Sequence, residues 1–210
     1  MENASPFERY ADRYEQWFER YDAVYRSELD AIRHLLSGPD RGLEIGVGSG
    51  RFGGPLGFQV GIDPVEAMLT RARDRGMTVL RGVAESLPFD ASSFDTALIV
   101  TTICFVEDVP RTLREAFRVL EPGGALLVGF IDGDSPVGQQ YRETKDENPF
   151  YRDAHFVSTD ELLTALEAAG FEDFEFAQTI ETWIADVEEP EPVTSGFGEG
   201  SFVVVKAIRP

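Results

Sequence analysis

The chain has 210 residues, 42% of them hydrophobic, and a formal net charge of −19. This length supports one substantial core, and no apolar run approaches the roughly 20 residues that cross a bilayer. The negative charge argues against binding to nucleic acid or to an anionic membrane surface, because such partners select basic patches. A single cysteine, Cys104, excludes an intrachain disulfide and a zinc site built from several thiolates. The N-terminus lacks the pattern of a signal peptide, so a reducing cytoplasm is predicted.

Lysine is scarce, because only two of the 19 basic residues are lysine and the others are arginine. An acidic, lysine-poor surface is expected where high internal salt screens the repulsion between carboxylates. A GC-rich genome that encodes arginine in place of lysine, combined with ordinary acidity, gives the same composition. The stability of the protein in molar KCl separates these two interpretations.

Aromatic residues recur at spacings of three and four from residue 5 to 36, which predicts a helix that ends at the turn SGPD. From there, short apolar segments alternate with amphipathic ones. Strands are predicted at 41–46, 58–63, 77–83, 93–102 and 125–131, and helices at 64–76 and 109–124. Apolar strands that alternate with helices indicate an α/β protein whose parallel sheet is covered on both faces.

The last part of the chain adds a helix and two strands. Ser158 and Glu161 have the spacing of a capping box, which predicts a helix over 158–170. Strands are predicted at 171–180 and 201–207, for a total of seven.

The segment LEIGVGSG, residues 43–50, ends a predicted strand and places Gly46, Gly48 and Gly50 at alternate positions. This spacing differs from the G-x-G-x-x-G of nicotinamide dinucleotide sites, and no Lys-Ser/Thr pair follows it as in a P-loop. Glu44 lies beside the turn. A carboxylate there would repel a pyrophosphate and suits an ammonium or sulfonium group.

Two further strand ends supply polar groups to the same crevice of an open sheet. Asp63 follows Gly50 by 13 positions, and its carboxylate can accept both hydroxyls of a ribose. Asp63 can also cap the helix that begins near Pro64. Ala84 and Glu85 follow the third strand, where a backbone N–H and a carboxylate can read the edge of an adenine. Glu85 can equally be a solvated loop acid.

Four segments resemble, in the same order, the class I S-adenosylmethionine-dependent methyltransferases, and in particular a small-molecule branch similar to the ubiquinone/menaquinone-biosynthesis methyltransferases. The segments are LEIGVGSG, GIDPVEAML, GVAESLPFDASSFDTALIV and REAFRVLEPGGALLVG. The resemblance covers about residues 7–207. It implies a doubly wound, Rossmann-like and mostly parallel sheet of seven strands in the order 3-2-1-4-5-7-6, with strand 7 antiparallel. The strand count from periodicity agrees with it.

The resemblance also implies S-adenosyl-L-methionine as the cofactor. By position, Glu44 and the three glycines would hold its methionyl part, and Asp63 would bind its ribose. Met68, which can equally be a plain core residue, would pack near the adenine, and Thr101 would lie near the sulfonium. The implied cofactor-binding set is Glu44, Gly46, Gly48, Gly50, Asp63, Pro64, Met68, Ala84, Glu85 and Thr101.

A single domain is predicted. Its parts are a helical lid over 1–40, a cofactor-binding core over 41–131, an acceptor loop over 132–157, and a helix with strands 6 and 7 over 158–210. The short, glycine-rich segment RFGGPLG departs from many members of the family, because it curtails the first core helix.

The acceptor side is less well marked. Tyr10, Tyr14 and Trp17 on the first helix are candidates for contact with the acceptor or with a cationic centre, although the helix can also simply pack on the core. The polar segment 132–157 is too long for a simple connection and is a candidate binding loop. It contains His155, the one candidate for a general base.

The leading prediction is a methyltransferase that acts on a small molecule. Methyl transfer by in-line displacement needs proximity and orientation more than it needs acid–base groups. The alternatives are a pseudoenzyme that binds the cofactor without catalysis, and an NAD-dependent oxidoreductase, whose third glycine and strand-end acid are missing at the usual spacing. No cluster of His and Asp suggests a metal site.

Overall fold

A computed structural model describes residues 5–210, and the first four residues of the predicted lid lie outside this range. The helices are α1 (Ser5–Arg9), α2 (Ala11–Arg20), α3 (Asp22–Leu35), α4 (Gly53–Leu56), α5 (Glu66–Asp74), α6 (Val109–Val119), α7 (Pro136–Thr144) and α8 (Thr159–Ala169). The strands are β1 (Gly42–Ile45), β2 (Val60–Asp63), β3 (Thr78–Arg81), β4 (Phe94–Val100), β5 (Leu120–Ile131), β6 (Glu172–Thr179), β7 (Thr194–Ser195) and β8 (Phe202–Ile208). Short 3₁₀ turns occupy Lys145–Glu147 and Ile184–Asp186.

The strands form one sheet in the order β3-β2-β1-β4-β5-β8-β6-β7. The first five strands pair in parallel, and β8 runs antiparallel between β5 and β6. The predicted doubly wound, mostly parallel sheet is confirmed, and the strand predicted over 201–207 runs antiparallel as expected. The predicted number of strands is wrong by one, because β7 has two residues and pairs only with β6. A strand of this length is too short to give a periodic signal.

The predicted N-terminal helix is divided into three. The helical backbone is interrupted at Tyr10, where φ is −121°, and at Tyr21, where φ is −117°. The aromatic spacing continues through both interruptions, because the rings of α1, α2 and α3 pack against one another and against the core. Phe18, for example, has its ring centroid 5.2 Å from that of Tyr14 and 5.1 Å from that of Tyr25. Periodicity therefore reports the buried face correctly and does not report the breaks.

The helix predicted over 109–124 ends at Val119. Leu120 is already extended and pairs with Phe94 of β4, so the segment Pro-Gly-Gly lies inside β5 instead of ending the helix. Gly123 has a φ of +82°, and the pairing of β4 with β5 shifts register in this part of the sheet. Sheet pairing has overridden the local signal for a helix end.

Two α-helices, α7 and α8, lie between β5 and β6. The polar segment 132–157, predicted as a loop, contains α7, which Ser135 caps by accepting a hydrogen bond from the N–H of Gly138 at 3.0 Å. The predicted capping box of α8 is confirmed, because Ser158 Oγ accepts from the N–H of Glu161 and Glu161 Oε2 accepts from the N–H of Ser158.

Both faces of the sheet are covered by apolar side chains. One face packs against α6 and α8, and the other packs against α3, α4 and α5. The carboxyl ends of β1, β2 and β4 meet at one edge, which is where an open parallel sheet binds its ligands. No helix in residues 5–210 is long and apolar enough to cross a membrane.

Candidate functional site

The loop after β1 depends on its alternate glycines. Gly46, Gly48 and Gly50 have φ values of +75°, +50° and +79°, a region that side chains other than glycine rarely adopt. A Cβ on Gly46 would lie 2.3 Å from the side chain of Thr102. The N–H groups of Gly46 and Val47 both donate to the carbonyl of Ile62, which holds the loop against β2.

Asp63, at the end of β2, ties this loop to the start of α5. Its Oδ2 accepts a hydrogen bond from the N–H of Gly48 at 3.0 Å, and its Oδ1 accepts one from the N–H of Val65 at 2.8 Å. The residue that caps α5 is Val65, so Asp63 organises the turn before the helix instead of occupying the cap itself. Burial raises the pKa of Asp63 to about 6 against the effect of these two hydrogen bonds. Each carboxylate oxygen keeps a second lone pair for a ligand.

Glu44 is a second buried acid beside the same loop. It is 2% exposed, and its Oε2 accepts a hydrogen bond from the N–H of Gly53 at 3.0 Å. Burial raises its pKa well above the ordinary value, and the charge of Asp63 adds to this shift. A cation bound beside these two buried acids would favour their ionised forms, whereas burial alone favours their protonated forms.

A cavity of about 670 Å³ opens beside these groups at the carboxyl ends of the strands. Nine of the ten predicted cofactor residues line it, namely Glu44, Gly46, Gly48, Asp63, Pro64, Met68, Ala84, Glu85 and Thr101. Gly50 does not line it. A Cβ on Gly50 would lie 2.9 Å from Met77 Sδ and 3.2 Å from Ala72 Cβ, so this glycine permits close packing of the loop on α5. Met68 is 1% exposed, so it is both a core residue and part of the cavity wall.

Glu85 is half-buried and bonded to the chain. Its Oε1 accepts a hydrogen bond from the N–H of Glu107 at 2.8 Å, which joins the loop after β3 to the segment before α6. Ala84 beside it is buried. The tip of β3 therefore forms a fixed wall of the cavity.

A second cavity, of about 910 Å³, lies against the first and has an aromatic wall. Eleven aromatic residues line it: Phe7, Tyr14, Trp17, Phe18, Tyr21, Phe52, Phe105, Tyr141, Phe150, Tyr151 and Trp183. Phe7, Tyr14, Phe52, Thr101 and Phe105 line both cavities, so they form the junction between them. Sequence reasoning missed most of this wall, because its rings come from segments far apart in the chain.

Thr101 stands at this junction in an unusual backbone conformation. Its φ is +47°, which is uncommon for a residue other than glycine, and its N–H donates to the carbonyl of Gly129 at 2.8 Å. Such strained residues cluster at binding sites, where the surrounding structure holds them in place.

The three candidates of the N-terminal helices differ in position. Tyr14 lines both cavities and Trp17 lines the aromatic one, whereas Tyr10 lines neither and is 37% exposed. Desolvation raises the pKa of Tyr14, and the charges of Asp63 and Glu44 raise it further, so its hydroxyl stays neutral.

Helix α2 is fastened to the glycine loop by an ion-pair cluster. Glu15 Oε2 accepts hydrogen bonds from Arg51 Nη2 and from Arg75 Nη2, both at 2.6 Å. Burial acts to raise the pKa of Glu15, but hydrogen bonds from these two arginines help to hold it below the ordinary value. Arg51 also lines the first cavity, so the helix that covers the site is bonded to the wall of the site.

Glu28 of α3 is a buried acid that sequence reasoning missed. It is 3% exposed, lines the aromatic cavity, and has a pKa raised to about 8 by burial. The available signal was its spacing, because it lies four residues after Val24 and four before Ile32, on the buried stripe of the helix.

His155 is placed in neither cavity. It is exposed and lines a separate depression of about 490 Å³ with Lys145 and Glu161. Its neighbours Ala154 and Phe156 are buried, and its N–H donates to the carbonyl of Cys104, so the extended backbone turns the imidazole outward. The geometry gives no support to its predicted role as a general base.

Cys104 is buried, and burial raises the pKa of its thiol to about 12. The thiol therefore stays protonated, in agreement with its interpretation as a small buried residue. Within residues 5–210, no three His, Cys, Asp or Glu side chains lie close enough together to hold a metal ion.

Comparison with known proteins identifies the family. Residues 43–128 match the family described as "Methyltransferase domain". One similar crystal structure is that of a Thermotoga maritima protein, described as a SAM-dependent methyltransferase and possible histamine N-methyltransferase. Its sequence is 46% identical to this chain, and the TM-score is 0.96. The match covers 99% of this chain and 100% of the Thermotoga maritima chain. The chain belongs to the S-adenosylmethionine-dependent methyltransferases. An uncharacterised protein of Methanocaldococcus jannaschii is 41% identical over 202 residues, which are 96% of this chain and 97% of that protein.

The ubiquinone/menaquinone biosynthesis C-methyltransferase of Methylobacterium nodulans is 34% identical over 113 residues, which are 47% of this methyltransferase and 45% of that enzyme. The resemblance stated from the sequence motifs is thereby confirmed, and S-adenosyl-L-methionine is the cofactor of the family. The residues present fit it. The buried acids Glu44 and Asp63 suit a cationic ligand with ribose hydroxyls, whereas a pyrophosphate would meet both carboxyl groups.

Proposed function

We propose that this methyltransferase transfers the methyl group of S-adenosylmethionine to a small organic acceptor bound in the aromatic cavity. The observation that carries the proposal is the pair of adjoining cavities, one with buried acids and the other with aromatic walls. A donor and an acceptor bound in these two spaces meet at Thr101. No other arrangement is needed for in-line displacement, which depends on proximity and orientation.

The proposed cofactor contacts follow the polar groups of the first cavity. Asp63 accepts hydrogen bonds from both ribose hydroxyls, and Ala84 with Glu85 reads the edge of the adenine. Glu44 and the loop of Gly46 and Gly48 hold the methionyl end, and the ammonium group of the methionyl part would stabilise the ionised form of the buried Glu44 carboxyl group. Met68 packs near the adenine. The role proposed for Gly50 is to bring this loop close to α5.

The bound cofactor supplies a methyl group on a positively charged sulfur. The chain supplies position and a dry environment. Phe7 and Phe105 at the junction form an edge-to-face pair with centroids 5.2 Å apart, and Phe7 packs in the same way on Tyr14 at 5.7 Å. These rings exclude water from the junction and offer π faces to a cationic centre. Helices α1 and α2 act in this proposal as the lid.

The composition of the chain supports the proposed class of acceptor and a reducing cellular compartment. A net charge of −19 disfavours nucleic acid as the acceptor, and the lone buried Cys104 fits a reducing compartment such as the cytoplasm. The Thermotoga maritima protein is described as a possible histamine N-methyltransferase, and the Methylobacterium nodulans enzyme is a C-methyltransferase of ubiquinone/menaquinone biosynthesis. Both are consistent with a small-molecule acceptor for this chain.

Calorimetric titration with S-adenosylmethionine, S-adenosylhomocysteine and NAD, in low and high salt, tests the cofactor. We expect micromolar binding of the two adenosyl ligands and no binding of NAD. Binding of NAD alone would overturn the proposal in favour of an oxidoreductase. Transfer of a labelled methyl group to members of a small-molecule panel then tests catalysis, and tight cofactor binding without transfer to any member would favour a non-catalytic binding protein.

A further inference from the structure

We propose that the acceptor is an amine that binds as an ammonium ion with an apolar or aromatic body, and that Glu28 is the residue that selects it. The carboxylate of Glu28 receives the ammonium group, and the surrounding rings enclose the rest of the molecule. Before transfer the ammonium group would give one proton to this carboxylate. The nitrogen lone pair could then form the new bond to the methyl carbon as the S–CH₃ bond breaks and S-adenosylhomocysteine leaves. This inference rests on the proposed function, because it names the acceptor class for the same aromatic cavity.

The first observation is that Glu28 is buried without a partner. Only 3% of the residue is exposed, yet none of the hydrogen bonds or ion pairs within residues 5–210 involves its carboxyl group. A buried carboxyl group without a partner favours its protonated form, and its ionised form becomes stable when a cation reaches it. Because Glu28 is buried, has no partner in the described part of the chain and lines a large cavity, we infer that its partner is a cationic group of the ligand that enters this cavity.

The second observation is the nature of the groups around it. Burial raises the pKa values of Tyr14, Tyr141 and Tyr151, and the charge of Glu28 raises each of them further. The three phenols therefore remain neutral, and they line the same cavity as the carboxyl group. Tyr141 and Tyr151 stack with ring centroids 4.9 Å apart. A buried acid beside stacked aromatic rings is the environment that an ammonium group prefers.

The charged groups of the cavity mouth do not neutralise Glu28. Arg13 lies over the ring of Phe150 at 5.8 Å, Arg20 lies over the ring of Tyr21 at 5.2 Å, and both side chains are exposed. Asp186 lines the same mouth and is also exposed. Solvent screens the charges of these exposed side chains more strongly than it screens the buried carboxyl group of Glu28. The cavity thus combines a solvated, mixed-charge entrance with an acidic interior.

The position of Glu28 gives the amine affinity a pH dependence. Burial raises the pKa of its carboxyl group to about 8, so the ionised form that binds an ammonium is scarce at pH 6. A bound cation stabilises the ionised form and releases a proton. The affinity should therefore rise with pH, by at most about tenfold per unit, until pH reaches the pKa of the carboxyl group. It should fall again only when the amine itself loses its proton, near pH 10 for an alkylamine.

Tryptophan fluorescence measures binding in this cavity without any turnover. The two tryptophans of the chain, Trp17 and Trp183, both line it. Three probes of nearly equal shape carry different charge: 2-phenylethylamine, 2-phenylethanol and 3-phenylpropionate. We expect the amine to bind roughly 10- to 100-fold more tightly than the alcohol at pH 8. This ratio corresponds to the usual contribution of a hydrogen bond between charged groups. The carboxylate should bind no better than the alcohol.

Glu28→Gln removes the charge and keeps the shape of the side chain. We expect this variant to lose the preference for the amine and the rise of affinity between pH 6 and 8, while calorimetry shows unchanged affinity for S-adenosylhomocysteine. Glu19→Gln on the exposed face of α2 is the matched control and should keep both properties.

The possible results separate the two proposals. Failure of the wild-type protein to bind S-adenosylhomocysteine defeats the proposed function, whereas the fluorescence titration tests Glu28 independently of that result. Equal affinity for amine and alcohol, tighter binding of 3-phenylpropionate, or an unchanged preference in Glu28→Gln would each overturn the assignment of Glu28. The first two comparisons use the wild-type protein only, so they hold even where the variant fails to fold.

Discussion

At the residue scale, Asp63 combines structural and ligand-binding roles in one carboxylate. Its two oxygens hold the glycine loop and the start of α5 through Gly48 and Val65, and the same oxygens face the ribose in the proposed complex. A neutral amide accepts hydrogen bonds through one oxygen only. Substitution by asparagine should therefore weaken both the turn and the proposed ribose contact, because the NH₂ group would face one of these two backbone donors.

We predict that Asp63→Asn lowers the affinity for S-adenosylhomocysteine by roughly 10- to 100-fold, because a charged acceptor is replaced by a weaker one. Calorimetry measures the change. Asp74→Asn, at the exposed end of α5, is the control and should leave the affinity unchanged. An unaltered affinity in Asp63→Asn would contradict the ribose assignment.

The pKa of Asp63, raised to about 6, predicts a pH dependence of cofactor binding. The ribose hydroxyls donate to the ionised carboxylate, and protons compete with them below that pKa. We expect the affinity for S-adenosylhomocysteine to fall as pH drops from 7 to 5, at a rate approaching tenfold per unit at the acid end. Calorimetry across this range tests it, and a flat profile would indicate that the cofactor does not meet an ionised Asp63.

Gly46 is the glycine of the loop that a side chain would disturb most. Its φ is +75°, and a Cβ would approach the side chain of Thr102 to 2.3 Å. We predict that Gly46→Ala lowers the unfolding free energy by about 2–4 kcal/mol, from backbone strain and overpacking together. Gly54→Ala in α4 has open space around its Cβ and should be neutral or slightly stabilising. Urea denaturation of both variants gives the comparison.

At the scale of elements, the attachment of α2 to the core depends on Glu15. Arg51 and Arg75 both donate to its Oε2, and its side chain is 12% exposed. We predict that Glu15→Gln lowers the unfolding free energy by about 1–2 kcal/mol, because two guanidinium groups lose their anionic acceptor. Amide hydrogen exchange in residues 5–20 should accelerate by a larger factor than exchange in the sheet.

Asp12→Asn is the control for this prediction. Asp12 lies in α2, like Glu15, and pairs with Arg71 of α5. The side chain of Asp12 is 88% exposed, so solvent screens this interaction. We expect little change in stability and in exchange. Equal effects of the two substitutions would mean that the cluster around Glu15 does not fasten α2 to the core.

The elements also differ in how far the sequence alone predicted them. The capping box of α8 is a local signal, because its hydrogen bonds join residues three apart, and it was predicted correctly. The end of α6 was not, because Leu120 enters a strand by pairing with Phe94 of β4, an interaction that is absent from the local sequence. Helix α7 was missed because the segment around it is polar and has no clear apolar period.

At the scale of the whole molecule, the net charge of −19 is the dominant property of the surface. Repulsion between like charges opposes the compact state, and salt screens it. We predict that the thermal unfolding midpoint rises as KCl is increased from 0.1 M to 2 M. A midpoint that does not change, together with full secondary structure in dilute buffer, would instead favour the interpretation of a GC-rich genome that encodes arginine for lysine.

The sequence by itself determined the mostly parallel sheet and the cofactor family, and nine of the ten residues that it predicted for the cofactor line one cavity. Those features depend on the order of the strands and on local backbone conformation. Gly46 and Gly48, for example, have positive φ values, and a short glycine motif indicates such positions directly. Only the tertiary structure brought together the residues of the cavity proposed for the acceptor. Glu28 and Tyr151 come from segments more than 100 residues apart and share one cavity, and His155 turns away from it. An acceptor pocket depends on which side chains meet after folding, and no spacing along one segment of chain specifies that.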